Sequence, residues 1–347
     1  MSPPAVSFLM PVRDSEATVA EAIESVLRQS CGDLELIAVD DCSSDGTPGI
    51  LRHFVRSDSR MAVIRGPGRG VAAALNAGLD RCRAAWVVRM DADDVCLGDR
   101  LKRQLGAAES RPEVGVWGAW AERFGVNAKP RQWRPPVEPE VIRLAAVVGA
   151  PLIHPTTMLR SDVLRSAGGW PEVKAEDHAL WTRLMNRGVV LRNLPRIVLR
   201  YRCHPNNVSK SPGLLESAAL VGREHARSSF GVDFTFDRFD CFRALLHAHR
   251  DPQPNDAAVF EMEAIELMEA AVRGCSRGLT KLLRALVARW FQSAARRLGE
   301  FDAVGASRLE RHAFRLAASA GVAGCSVIED LLRTRVRRGI RAYFAHF

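Results

Sequence analysis

Between residues 6 and 90 short apolar runs alternate with amphipathic stretches, and the runs end at polar residues. Val6–Val12 is followed by apolar runs at 34–39, 61–64 and 85–90. Between the first two, Val19, Ala22, Ile23, Val26 and Leu27 recur at helical spacing, with Asp14 or Ser15 placed to cap that helix. Residues 47–57 and 70–82 read as two further helices. Strands and helices joined by short connections predict an α/β fold: a mainly parallel sheet flanked by helices on both faces. Ligands of such sheets bind outside the carboxyl ends of the strands. Arg13, Asp14, Asp40, Asp41, Asp91 and Asp93 all fall there, so three strands deliver carboxylates to one edge.

The pattern changes further along. Residues 125–140 are rich in proline and basic residues and read as a loop leading to a short helix at 139–148. A strand is expected at 151–159, a helix at 175–187 opening with Glu176 and Asp177, and a β-leaning run at 189–202. Beyond about 210 the β signals fade into helices. The expected domains are a catalytic 1–210 and a helical, basic extension 211–347. A hydrophobic content of 47% excludes disorder throughout. The net charge of +9 is concentrated at the end: residues 271–347 hold 15 Lys and Arg against 5 Asp and Glu. Charges interrupt every apolar run before it could span a bilayer, and no basic segment leads an apolar one at the N-terminus. The 8 cysteines are scattered without a CxxC pair, which argues against a zinc ribbon and for reduced thiols in a cytoplasmic protein.

Several segments permit specific chemistry. Asp91-Ala92-Asp93-Asp94 would repel itself unless solvated or neutralised; it reads as an acidic turn or as an oxygen-ligand site for Mg²⁺ or Mn²⁺ holding a diphosphate. Asp40-Asp41-Cys42-Ser43-Ser44-Asp45-Gly46 suits either a plain capped turn or recognition of a base or ribose. Gly66-Pro67-Gly68-Arg69-Gly70 could approach a phosphate through its backbone N–H groups, with Arg69 adding charge. The dinucleotide, P-loop and GxSxG signatures are absent, which argues against Rossmann hydride transfer, P-loop phosphoryl transfer and the simplest serine hydrolase. Glu176-Asp177 is a helix cap or a general base for a hydroxyl. His154 and His204 each stand alone; His204 ends the β region and is the better candidate for a metal ligand.

Taken in order, Val6–Asp14 (VSFLMPVRD), Asp40–Asp45, Arg89–Asp94 (RMDADD), Glu176-Asp177 and Tyr201–His204 (YRCH) resemble family 2 glycosyltransferases of the GT-A fold over residues 5–210. The resemblance implies that Pro11, Arg13 and Asp14 line a base pocket and that Asp41, beside Asp40, binds base or ribose. It implies that Asp91 touches ribose or sugar, that Asp93 ligates the metal, and that His204 adds a contact to metal or phosphate. Asp177 would be the base, next to Glu176. The implied reaction is inverting transfer from a nucleoside-diphosphate sugar, a UDP-sugar first, to a saccharide or lipid-linked hydroxyl, in cell-surface polysaccharide or glycoconjugate synthesis. Two departures stand out: Arg13-Asp14 replaces an aromatic followed by Asn, and Cys42 replaces Gly.

Competing readings are a sugar-nucleotide nucleotidyltransferase and a non-catalytic basic binding protein. The first lacks its Gly-rich basic signature after the first strand; the second draws on the basic end of the chain, which could hold nucleic acid or a membrane. A transferase requires no nucleic acid partner. Basic amphipathic segments at 280–298 and 331–347 either lie on an anionic membrane, making the protein peripheral at its inner face, or pack as ordinary helices on the catalytic domain or a second subunit. Acceptor selection is expected in loops such as 125–140 and 165–176.

Overall fold

The computed structural model describes residues 3–125, 131–204, 213–247, 251–253, 256–299 and 301–320. The chain forms two compact units, 1–142 with 150–218, and 143–149 with 219–347. Elements of the sheet region run β1 (Val6–Val12), α1 (Val19–Leu27), β2 (Leu34–Asp40), α2 (Thr47–Ser57), β3 (Met61–Arg65), α3 (Val71–Leu79), β4 (Trp86–Arg89), β5 (Val95–Cys96), α4 (Arg100–Ser110), β6 (Val114–Phe124) and β7 (Arg131–Trp133). They continue with α5 (Pro139–Ala145), a 3₁₀ turn (His154–Thr156), β8 (Met158–Arg160), α6 (Ser161–Ser166), α7 (Glu176–Asn186) and β9 (Val190–Arg202).

The sheet order is β3-β2-β1-β4-β8-β6-β9-β5, with β7 on β6. The first four strands are parallel; β8, β5 and β7 pair antiparallel, and β6 runs parallel to β9. Alternation along β1 builds both layers of the core. Val6, Phe8, Met10 and Val12 pack with Val19, Ala22, Ile23 and Val26 of α1, whereas Leu9 faces Leu75 and Leu79 of α3 with Leu180 and Trp181 of α7. Full burial of each such side chain contributes about 1.5–3 kcal/mol. Gly78 lets α3 sit close: a Cβ there would lie 2.3 Å from Leu9 Cδ1.

Three expectations are corrected, and one strand, β6, is added. The first helix begins at Val19 after Thr18, because Asp14 and Ser15 bond across to the β2–α2 loop instead of capping it. Residues 131–133 inside the expected loop form β7. The expected strand at 151–159 is mostly non-β: a 3₁₀ turn precedes the short β8. β6 was not among the expected strands; Gly115 and Gly118 break its pattern, yet a Cβ at Gly118 would lie 2.1 Å from Asn193 Oδ1 of β9.

The second unit is helical and includes most of α8 (Leu214–Phe230), then α9 (Phe236–His247), α10 (Asp256–Val272), α11 (Arg277–Leu298) and α12 (Ala303–Ser319). The apolar stripe of α11 (Leu283, Val287, Trp290, Ala294, Leu298) is buried inside this unit. Phe242 meets Phe260 at 5.2 Å and Trp290 at 6.0 Å, and Phe291 meets Phe260 at 5.3 Å. The basic segment 331–347 lies outside the described residues. No described helix is long and apolar enough to cross a membrane.

Candidate active site

Pro11 opens the slot at the carboxyl ends of the strands. Pairing of β1 with β4 runs only from Val6 to Leu9, where the Leu9 carbonyl accepts from the Met90 N–H at 3.1 Å. Pro11 faces the same side two residues later and has no N–H to extend the ladder. On its other side β1 stays paired with β2 as far as Val12 and Asp40. The two loops that follow are laced together. Asp14 Oδ1 accepts from the Ser44 N–H at 2.7 Å and the Ser44 hydroxyl at 3.1 Å, which holds its pKa down. Arg13 is exposed and lies 3.7 Å from Asp14. Asp14 and Cys42 have φ of 45° and 64°, so both departures from the family pattern sit at or beside left-handed backbone; Asp tolerates it better than Cys.

Asp40 and Asp41 are used differently. Asp40 Oδ1 caps its own turn by accepting from the Ser43 N–H at 3.0 Å. Asp41 is buried, and its oxygens accept from the N–H groups of Gly68 (2.6 Å) and Gly70 (2.9 Å). Its carboxylate therefore holds the glycine loop. Arg69 projects from that loop into solvent and pairs with Glu172 at 3.4 Å.

The acidic turn after β4 is a true cluster. Carboxylate oxygens of Asp91, Asp93 and Asp94 lie within 4.8 Å of one another. Burial and then the neighbouring aspartates push Asp94 well above the usual carboxylate range; burial also raises Asp91, against the pull of Arg89. Asp94 Oδ1 accepts from the Arg202 N–H at 2.8 Å, while Oδ2 is buried without a hydrogen-bond partner among the described residues. His204 Nε2 lies 2.8 Å from Asp93 Oδ2. This all-oxygen set, with an orphaned buried oxygen and mutual repulsion, fits a hard divalent cation.

Arg89, the last residue of β4, is buried and forms an ion pair with Asp91. Burial alone would favour loss of its proton, but Asp91, Glu176 and Asp94 outweigh it and keep the guanidinium charged. It thus links the acidic turn to the start of α7. There, burial and then Asp177 raise Glu176 to about 7, and burial raises Asp177. His154 Nδ1 lies 3.7 Å from Glu176 Oε1. The Trp170 indole N–H donates to His154 Nε2 at 3.0 Å, which assigns the ring proton to Nδ1. Burial, then Arg89, holds His154 well below its ordinary pKa, so it stays neutral. Asn76 clamps Trp170, donating to its carbonyl and accepting from its N–H, both at 2.8 Å.

The structure therefore gathers Asp91, Glu176 and Asp177 around Arg89, sets Asp93 beside Asp91 with His204 on it, and places Pro11, Arg13, Asp14, Asp40 and Asp41 on the neighbouring β1–β2 wall. Arg89 and Tyr201 carry no role in the sequence analysis, and Asp94 only its share of the acidic turn. Arg89 and Asp94 flank the acidic pair within one motif. The Tyr201 hydroxyl is pushed up by burial and by the three aspartates.

Residues 7–166 match the profile described as Glycosyl transferase family 2. The chain is 30% identical over 203 residues to the amylovoran biosynthesis glycosyltransferase AmsE of Erwinia amylovora, covering 58% of this chain and 76% of that protein. It is 27% identical over 249 residues to the O-antigen biosynthesis glycosyltransferase WbnJ of Escherichia coli, covering 70% and 96%. In fold it is similar to S. aureus TarS 1-349 crystallised with UDP-GlcNAc (TM-score 0.54, 17% identity, 85% of this chain and 91% of that one). It is likewise similar to the mannosyltransferase PcManGT of Pyrobaculum calidifontis with GDP-Man and Mn²⁺ (TM-score 0.52, 19% identity, 93% and 87%). The architecture is thus that of the GT-A glycosyltransferases.

Proposed function

The chain belongs to glycosyl transferase family 2, is a glycosyltransferase, and from that premise we propose that it moves a sugar from a nucleoside-diphosphate sugar to an acceptor hydroxyl with inversion. A UDP-sugar is the first donor to test, and polysaccharide assembly is the proposed setting, in line with the relatives named for amylovoran and O-antigen synthesis. The observation that carries this reading is the meeting of two carboxylate groups, Asp91–Asp94 and Glu176–Asp177, across the buried Arg89.

In the proposed reaction Asp177 takes the proton of the acceptor hydroxyl. The acceptor oxygen forms its bond to the anomeric carbon as the bond to the diphosphate breaks, and the electron pair leaves on the diphosphate. Asp91, Asp93 and Asp94 would hold Mg²⁺ or Mn²⁺, with His204 fixing Asp93; the cation would supply charge to stabilise the departing diphosphate. Pro11, Arg13, Asp14 and Asp40 would face the base and ribose, while Asp41 acts by holding the loop that carries Arg69. Arg89 stands between the two acidic groups and opposes the rise that burial imposes on Asp91, Glu176 and Asp177.

Calorimetry with UDP, GDP, dTDP and CDP, with and without Mn²⁺, tests the reading. Wild type should bind one diphosphate tightly only with metal, and Asp93→Asn should lose that dependence. Folded protein that binds none of them refutes it and returns attention to the basic C-terminal region.

A further inference from the structure

Two arginines face each other where β7 pairs with β6. In the β6–β7 ladder Arg123 lies directly opposite Arg131, and no carboxylate is within ion-pair reach of either among the described residues. Like charges in that position oppose pairing. The acid nearest in sequence, Glu122, belongs to the other face, where it opposes Gln132 and Arg200. Beside the arginine pair stands Trp133, 38% exposed. The Arg123 guanidinium lies 5.0 Å over its ring, and Tyr201 meets it edge-on at 5.7 Å.

The patch is continuous with the catalytic region. Tyr201 opposes Arg123 on β9. The next residue, Arg202, donates its N–H to Asp94, and His204 contacts Asp93. A molecule resting on Trp133 is therefore one short step along β9 from the acidic cluster.

We propose that Trp133, Arg123 and Arg131 form a binding platform for an acidic saccharide, with a pyranose ring on the indole and a carboxylate or phosphate on the arginine pair. The C–H face of a sugar ring matches a half-exposed indole, whose polar edge also tolerates water. The planar fork of a guanidinium donates two parallel hydrogen bonds to a pair of oxygens on either anion. A neutral glycan would leave the facing cations uncompensated, and an anion without a ring would leave the indole unmatched. The inference deepens the acceptor side of the transferase reading and rests on it for the role of the bound glycan.

The test uses the full chain and titrates tetragalacturonate, a phosphorylated tetrasaccharide, neutral maltotetraose and phosphatidylglycerol vesicles. Donor binding is measured separately on the same protein. Wild type should bind at least one acidic glycan at least tenfold more tightly than maltotetraose, with an advantage that shrinks in salt. Arg123→Gln, Arg131→Gln and Trp133→Ala should each weaken that binding about five- to tenfold and leave donor binding unchanged. Arg131→Glu, which sets a carboxylate opposite Arg123, should abolish glycan binding while raising the melting temperature, an outcome that misfolding cannot imitate. Equal affinity for acidic and neutral glycans, no binding of either acidic glycan, or variants that lose only vesicle binding would overturn the platform. Loss of donor binding with glycan binding intact would instead refute the transferase reading.

Discussion

Replacing Glu176 by Gln gives a stability change whose sign and size follow from its surroundings. The side chain is 13% exposed, and its pKa rises from the ordinary 4.5 to about 7 through burial, then Asp177. The folded chain therefore holds this proton over a window in which the unfolded chain has released it. Stability falls as pH rises from 4.5 towards 7 and levels off above, by about 3 kcal/mol in all. Roughly 2–3 kcal/mol of that falls between pH 5 and 8. Glu176→Gln removes the group that titrates and leaves the shape nearly unchanged. In urea denaturation with EDTA at pH 5, 6, 7 and 8, the wild type should lose stability more steeply than the variant, and the gap should widen with pH. At pH 8 the variant should be the more stable protein by about 2–3 kcal/mol. Parallel curves would refute the reasoning: they would mean that Glu176 reaches water, or that Arg89 compensates its charge completely.

Other expectations concern single residues. Asp41→Ala removes the acceptor of the Gly68 and Gly70 N–H groups, so it should cost about 2–4 kcal/mol in thermal or urea unfolding and weaken donor binding measured by calorimetry. Asp177→Asn should lower kcat about 10²- to 10⁴-fold in a sugar-transfer assay while the donor Kd stays unchanged, since Asp177 lies outside the acidic cluster. Cys42→Gly should stabilise the protein by about 0.5–1 kcal/mol in the same unfolding assay, because φ at this position is 64°.

The parallel half of the fold was legible because each element there obeys one period. β1 spans the apolar run read for it, and α2 coincides with 47–57. The acidic edge was legible too, since strand ends must converge in a parallel sheet. β6 was hidden because its glycines serve close packing, Gly118 on Asn193 of β9 and Gly115 on Val189 just before it, a requirement visible only once the partners are in place. Arg89 was hidden because a buried cation among carboxylates has no sequence period; its role comes from α7, which is nearly ninety residues away in the chain. The corrected cap at Asp14 has the same origin: a side chain able to cap its own helix bonds instead to a loop about thirty residues on. Local rules named the residues capable of acting here, and tertiary neighbours decided what each one does.

The bonds from Asp41 to the glycine loop carry a kinetic consequence. Glycine segments lose more conformational freedom on ordering than any others. Here that entropy is lost when the chain folds, since a buried carboxylate already gathers both amides. A donor arriving at this wall meets a finished surface and need not organise it. Its association should therefore be limited by encounter, with one relaxation phase in stopped-flow mixing, and the Gly68 and Gly70 amides should exchange with solvent deuterium equally slowly before and after it binds.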